Sequence, residues 1–360
     1  MKSNNYRHQQ DLKNIEKIRE LLSELPGFCR EYFLALEARK STSTRMNYAY
    51  DLTNFFHFLQ EHNSYFKSKE LRKIEIQNMD LITPMDIEEY LSYLQYYVRD
   101  GKEYTNSPEG RSRKLSCLRT FYDYFLKRKV LRTNPARQVD VPKIKEHNII
   151  RLEPNEVAEL LDQVEGGAHL TKKQLESYQK TRYRDIAILT LLLGTGIRVS
   201  ECVGLNVTDV NFEDYSCRIV RKGGNEDLVY FGDEVADALM DYLENDRDFK
   251  NPLEGHQEAL FISLKNMRMS VRTVERMVKK YTSNVTTLKK ITPHKLRSTF
   301  GTNLYQETGD IYLVADTLGH KDVNTTRKHY AGMKDANKRR AAKALRLREE
   351  RLPEEIDTTS

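Results

Sequence analysis

Thr292-Pro293-His294-Lys295-Leu296-Arg297 is a helix start that brings its own chemistry. Thr292 suits the N-cap, and proline is tolerated at the first helical position because the N–H it lacks would find no intrahelical acceptor there. His294 then falls in the first turn, and Arg297, three positions on, shares its face. The N–H groups of such an end form an anion site. A guanidinium beside it can fork onto phosphate oxygens, and an imidazole can exchange protons near neutral pH. A lone histidine near a helix start is usually a surface or capping residue. The pairing with an arginine is what raises a phosphate reading.

Outward from that stretch, further groups of the same kind follow in order. Upstream, an apolar helix carrying Ile186, Leu189 and Leu193 stops at Gly194 and Gly196, and Arg198 stands between it and the next helix. Glu201, three residues on, can orient an arginine or a histidine. Cys217–Arg221 and Asp227–Phe231 predict a β-hairpin whose tip holds Lys222, Gly223, Gly224 and Asn225. A lysine on such a tip can deliver a proton to a leaving oxygen. Downstream, Leu318 and Gly319 stop a helix before His320, and Tyr330 closes a predicted short helix from Asn324. With 21 tyrosines in the chain, residue type alone singles out none; the basic, polar neighbours of Tyr330 count against burial. Arg198, Lys222, His294, Arg297, His320 and Tyr330 together are the groups needed to bind, protonate and attack one phosphodiester. Each alone has an ordinary surface or core reading, and the ordered set is the signal.

The N-terminal part of the chain reads as helical. Ile15, Ile18, Leu21 and Leu22 keep a helical period before Pro26-Gly27. From Thr42 to about Arg132 the stripes are clearer: Leu52, Phe55, Phe56 and Leu59, then Ile87, Tyr90, Leu91 and Leu94 behind a Thr83-Pro84-Met85-Asp86 capping box, then Leu115, Leu118, Tyr122 and Phe125. Thr44, Arg45, Arg111, Arg113 and Lys114 stand near predicted helix starts, where N–H groups and cations can meet phosphates; an ordinary solvated face is the alternative. Val141–Asn148 has a linker's composition, and 166–181 reads as a polar insertion.

At 360 residues the chain is long enough for two domains. The balance of 59 basic to 53 acidic residues, net +6, is only mildly basic, so nucleic-acid binding must rest on where the charges sit. Cys29, Cys117, Cys202 and Cys217 form no C-x-x-C pair, which argues against a zinc site and fits reduced thiols in the cytoplasm. Neither a signal peptide nor a bilayer-spanning run is evident.

In order and with ordinary gaps, Arg198, Lys222, His294-x-x-Arg297, Leu-Gly-His320 and Tyr330 resemble the active-site pattern of the tyrosine recombinase or phage integrase family. The Thr42–Arg132 bundle resembles that family's core-binding domain, so the likeness spans roughly residues 40–340. Within the family the chain is most similar to Xer-type recombinases of the single-recombinase, Gram-positive kind. One departure is an extra residue between His320 and Tyr330; it is placed in the loop from Lys321 to Val323, since inside a helix it would rotate the tyrosine by about 100°.

The resemblance implies a mainly α chain with a small β-sheet or hairpin, in two domains that form a C-shaped DNA clamp. The helical stripe of the first forty residues reads as a helical extension (1–41), and the resemblance implies an all-helical core-binding domain (42–140), a linker (141–150), an α+β catalytic domain (151–336) and a C-terminal helix and tail (337–360). It further implies Tyr330 as nucleophile, Arg198, Arg297 and His320 on the non-bridging oxygens, Lys222 as general acid, His294 as proton acceptor and Glu201 in support. No cofactor and no metal is expected. The expected partners are duplex DNA with paired sites, a homotetramer in the synapse and a septal DNA translocase, with no membrane. Three rivals stay open: a mobile-element integrase, a type IB topoisomerase, and a non-catalytic DNA-binding protein on this fold.

Overall fold

The computed structural model describes residues 6–67, 69–143, 150–167, 170–221, 223–320 and 322–323. Lys222, Tyr330, the loop position Lys321 and the tail after residue 337 lie outside them. The chain divides into two compact units, Met1–His147 and Asn148–Ser360. The division falls inside the expected linker.

In the first unit α1 (Tyr6–Glu24), α2 (Phe28–Glu37), α3 (Thr42–His62), α4 (Pro84–Tyr93) and α5 (Pro108–Lys127) surround one core. Local chemistry sets the helix starts. Ser41 accepts from the Thr44 N–H at the head of α3, and the Thr83/Asp86 box is made in both directions at the head of α4. The core is aromatic: Phe28 packs edge-on to Phe125 at 5.9 Å, and Tyr32 edge-on to Phe121 at 5.4 Å. Such pairs add about 0.5–1.5 kcal/mol each beyond burial.

Two expectations need correction here. The first 41 residues are no mere extension, because Ile18, Leu21, Cys29, Tyr32 and Phe33 belong to the same core as Leu52 and Phe56. Asn14, buried in α1, also donates to the hydroxyls of Thr42 and Ser43, at 3.2 Å each. Nor is the bundle all-helical: β1 (Tyr97–Arg99) and β2 (Lys102–Tyr104) pair antiparallel. Asp100 and Gly101 at the tip have φ of 50° and 70°, the two positive values a tight hairpin turn requires. The Tyr97 ring lies between Tyr93 and Tyr104, at 4.8 and 5.1 Å.

The second unit is built on α8 (Arg182–Thr195), which follows α6 (Pro154–Gly166) and α7 (Lys172–Gln179). Ala187, Ile188, Leu189, Leu191 and Leu192 are all buried, so α8 is apolar nearly all round, as a central helix must be. The expected polar insertion contains α7, whose Thr171 and Gln174 form a capping box. After α9 (Val199–Gly204) come β3 (Val210–Asn211), β4 (Ser216–Val220) and β5 (Glu226–Tyr230), a three-stranded antiparallel sheet in the order β3-β4-β5. The expected hairpin is present with both strands starting one residue earlier, and β3 is an added strand. Then follow α10 (Asp233–Asn245), α11 (Val271–Val285), α12 (Pro293–Thr308) and α13 (Ile311–Thr317).

Buried Asp185 ties this unit together. It accepts from Arg184 at 2.7 Å, Thr181 at 3.0 Å and Tyr281 at 3.0 Å, so the carboxylate enters the core fully partnered. All four cysteines are buried free thiols, and burial pushes Cys217 up to about 12. No helix among the described residues is long and apolar enough to cross a membrane.

Candidate active site

Arg297 assembles the site. It projects from the second turn of α12 and is 4% exposed. Its guanidinium donates to the carbonyl of Gly196 at 2.5 Å and to that of Leu318. Those carbonyls lie two residues before Arg198 and two before His320, so one side chain joins three segments that are far apart in sequence.

Backbone geometry makes the junction possible. Gly196 closes α8 at φ +62°, and a Cβ there would lie 2.3 Å from Phe300 of α12. Only glycine meets both demands, the left-handed turn and the close approach.

Arg198 is the N-cap residue of α9. Glu201 accepts its backbone N–H at 2.7 Å and its guanidinium at 2.8 Å. The carboxylate is 3% exposed while the arginine side chain is 35% exposed. The pair therefore fixes the base of Arg198 and leaves its outer face open to an anion.

The head of α12 has the expected form with one difference. Thr292 is extended and Pro293 occupies the first turn, but the Thr292 side chain makes no cap hydrogen bond. The cap is made by the main chain, with Lys295 and Leu296 N–H donating to the Thr292 carbonyl at 2.8 and 3.0 Å. His294 is exposed where Arg297 is buried. Three helical steps leave the two about 60° apart, so they straddle the edge of the buried face.

His320 is half-buried, and its N–H donates to the Ala315 carbonyl at 2.9 Å, closing α13. The structure thus brings Arg198, Glu201, Arg297 and the turn before His320 together. Lys222 and Tyr330 lie outside the described residues.

The helix-start candidates of the first unit divide. Lys114 is 7% exposed and its ammonium bonds Asp51 at 2.9 Å. Arg45 is 8% exposed and bonds Glu37 at 2.6 Å. Both cations are interior partners of carboxylates, a correction to their reading as phosphate contacts. Arg113 also bonds Asp51, yet its side chain is 45% exposed. Arg111 and Thr44 are half-buried.

Sequence reasoning missed Arg221. Its guanidinium meets Asp227 at 2.8 Å, the Thr317 carbonyl at 3.0 Å and Glu201 at 3.5 Å. Apart from Asp227, its partners are remote in the chain, so local pattern gave no signal beyond adjacency to Lys222.

Residues 151–337 match the phage integrase family. The tyrosine recombinase XerC of Caldanaerobacter subterraneus subsp. tengcongensis is 33% identical over 327 residues, covering 89% of this chain and 86% of that one. Tyrosine recombinase XerS of Streptococcus mutans serotype c is 30% identical over 350 residues, covering 87% and 93%. Two solved structures share the fold: the XerH site-specific recombinase bound to palindromic difH substrate (TM-score 0.60, 19% identity, 84% of this chain and 80% of that one), and the Tn1549 transposon integrase with circular intermediate DNA (TM-score 0.60, 21% identity, 87% and 98%). With a buried arginine joining the segments of Arg198 and His320, and with relatives at this identity along nearly the whole chain, the protein belongs to the phage integrase family, as an Xer-type tyrosine recombinase.

Proposed function

We propose that this recombinase cuts and rejoins duplex DNA through a 3′-phosphotyrosine and resolves chromosome dimers at a dif-like site in the cytoplasm before cell division. The observation that carries the chemistry is Arg297, whose two carbonyl contacts hold the Arg198 and His320 segments around one space.

In the first step the Tyr330 oxygen bonds to the scissile phosphorus as the bond to the 5′ oxygen breaks. His294 takes the phenolic proton and Lys222 gives one to the leaving oxygen. Arg198, Arg297 and His320 meet the charge that builds on the non-bridging oxygens. In the second step a 5′ hydroxyl from the partner duplex attacks the phosphotyrosine and frees Tyr330. One phosphodiester replaces another of similar energy, so the exchange needs neither nucleotide nor metal. Thr44, Arg111 and Arg113 are the remaining backbone contacts of the first unit, positioning more than reading sequence.

The dif-like assignment draws on the relatives at 30–33% identity, which are Xer recombinases. The transposon integrase shares only the fold. In this reading four copies assemble on paired sites, the tail after Asn337 joins neighbouring subunits, and a septal DNA translocase supplies the cellular trigger.

The test is a nicked duplex from which the 5′ strand diffuses after cleavage. The wild-type chain should form an adduct that survives denaturant. Tyr330→Phe should bind the duplex nearly as well and form none, because only the nucleophilic oxygen is lost. An adduct with the phenylalanine chain would refute the nucleophile.

A further inference from the structure

Arg221 is the last described residue before the Gly223-Gly224 tip of the β4–β5 hairpin, and its side chain turns inward, 11% exposed. Its backbone closes the tip: the N–H donates to the Asn225 carbonyl at 2.8 Å and the carbonyl accepts from Gly224 at 3.0 Å. Its guanidinium then reaches across the unit to the end of α13, donating to Thr317 at 3.0 Å and approaching the Leu318 carbonyl at 3.5 Å. A Cβ on Gly319, where φ is +59°, would lie 2.9 Å from the Arg221 guanidinium carbon. The guanidinium therefore lies against the Gly319 backbone, and the next residue is His320.

We propose that Arg221 is a positioning residue that sets His320 by holding the α13 end from the hairpin side. The idea rests on the reading of His320 as a group that meets the scissile phosphate. Helix-end carbonyls accept readily from a cation, and two arginines share this end. Arg297 holds Leu318 and Arg221 holds Thr317. A turn gripped from two sides cannot pivot, whereas one grip leaves a hinge at Gly319. Asp227 at 2.8 Å and Glu201 at 3.5 Å orient the guanidinium for the task.

The experiment is single-turnover cleavage of the nicked duplex at saturating DNA by the full chain. It compares wild type, Arg221→Gln, Arg221→Lys, His320→Ala and the Arg221→Gln/His320→Ala double variant, with duplex affinity and thermal unfolding recorded for each. Arg221→Gln should cut the cleavage rate about 10- to 100-fold with affinity within about twofold, which is a loss in kcat alone. Arg221→Lys should recover part of that, since an ammonium can still reach one carbonyl. In the His320→Ala chain the same Arg221→Gln change should cost less than about threefold, because the group it sets is gone.

A full cost in the His320→Ala background, with His320→Ala itself slow, overturns the proposal and leaves the reading of His320 standing. Wild-type cleavage by His320→Ala overturns both. If Arg221→Gln unfolds early, Arg221→Lys carries the same cycle, and additivity there also refutes the proposal.

Discussion

Asp51 in the first unit and Arg297 in the second are both buried ions, and each ties separate segments of its unit together. Asp51 receives both Arg113 and Lys114, one buried carboxylate shared by two cations of α5. Arg297 donates to the backbone carbonyls of Gly196 and Leu318, which joins three segments of the second unit. The first arrangement pins α3 to α5 and serves the fold. In the proposed function, the second sets a cation beside the scissile phosphate, where a preorganised charge is worth most. One set of contacts joins helices of a single core and the other joins the segments that carry Arg198 and His320, and sequence position shows neither.

The comparison breaks most easily at the arginines of the second unit. Arg198→Lys and Arg297→Lys should each lower the cleavage rate about 10²- to 10³-fold, since an ammonium cannot reproduce the planar fork. Single-turnover cleavage at saturating DNA measures this, and near-normal rates for either would remove it from the site. Gly196→Ala should come next. The added methyl meets Phe300 at 2.3 Å in a left-handed turn, so a loss of about 2–4 kcal/mol in stability is expected, with slower cleavage because Arg198 and Arg297 shift together. Chemical denaturation and the cleavage assay read the two effects.

In the first unit the pattern should reverse. Asp51→Ala leaves Lys114 buried without its carboxylate and should cost about 3–5 kcal/mol, seen as an earlier thermal transition, while cleavage of already bound duplex changes little. A cleavage loss as large as that of Arg297→Lys, with folding intact, would contradict the division of labour. The smallest effect belongs to Asp123. Hydrogen bonds from Arg137, above all, and from Asn134 hold its carboxyl below the usual carboxylate range. A depressed pKa stabilises the fold above the ordinary carboxylate value and loses that contribution as pH falls through the lowered one. Asp123→Asn should therefore lower the midpoint modestly at pH 7, and the gap to wild type should close in acid. A gap that stays constant down to pH 2 would sink that assignment.

Much of the second unit could be read from local rules. The Pro293 helix start, the glycine stop at Gly196 and the pairing of Ser216–Val220 with Glu226–Tyr230 all rest on residues that dictate their own backbone. What local rules could not give was the partner of each charge. Lys114 and Arg113 are neighbours in sequence and both bond Asp51 of α3, yet one is buried and the other 45% exposed. Arg221 escaped notice for the same reason, its contacts at Glu201 and Thr317 being set by tertiary packing. The β1–β2 hairpin was missed although Asp100-Gly101 is a strong turn signal, because the flanking three-residue strands are too short to show alternation. The first 41 residues carried a helical stripe, but a stripe does not say which core it joins.

The claim at the centre is a phosphodiester held by Arg198 and Arg297 and attacked by Tyr330. Its most direct measurement is the site of covalent attachment: trap the wild-type chain on the nicked duplex, digest the adduct, and locate the nucleotide by mass spectrometry. The account predicts a 3′-phosphotyrosine at Tyr330, formed by the wild type and greatly diminished in Arg297→Lys. Attachment at any other residue would contradict it.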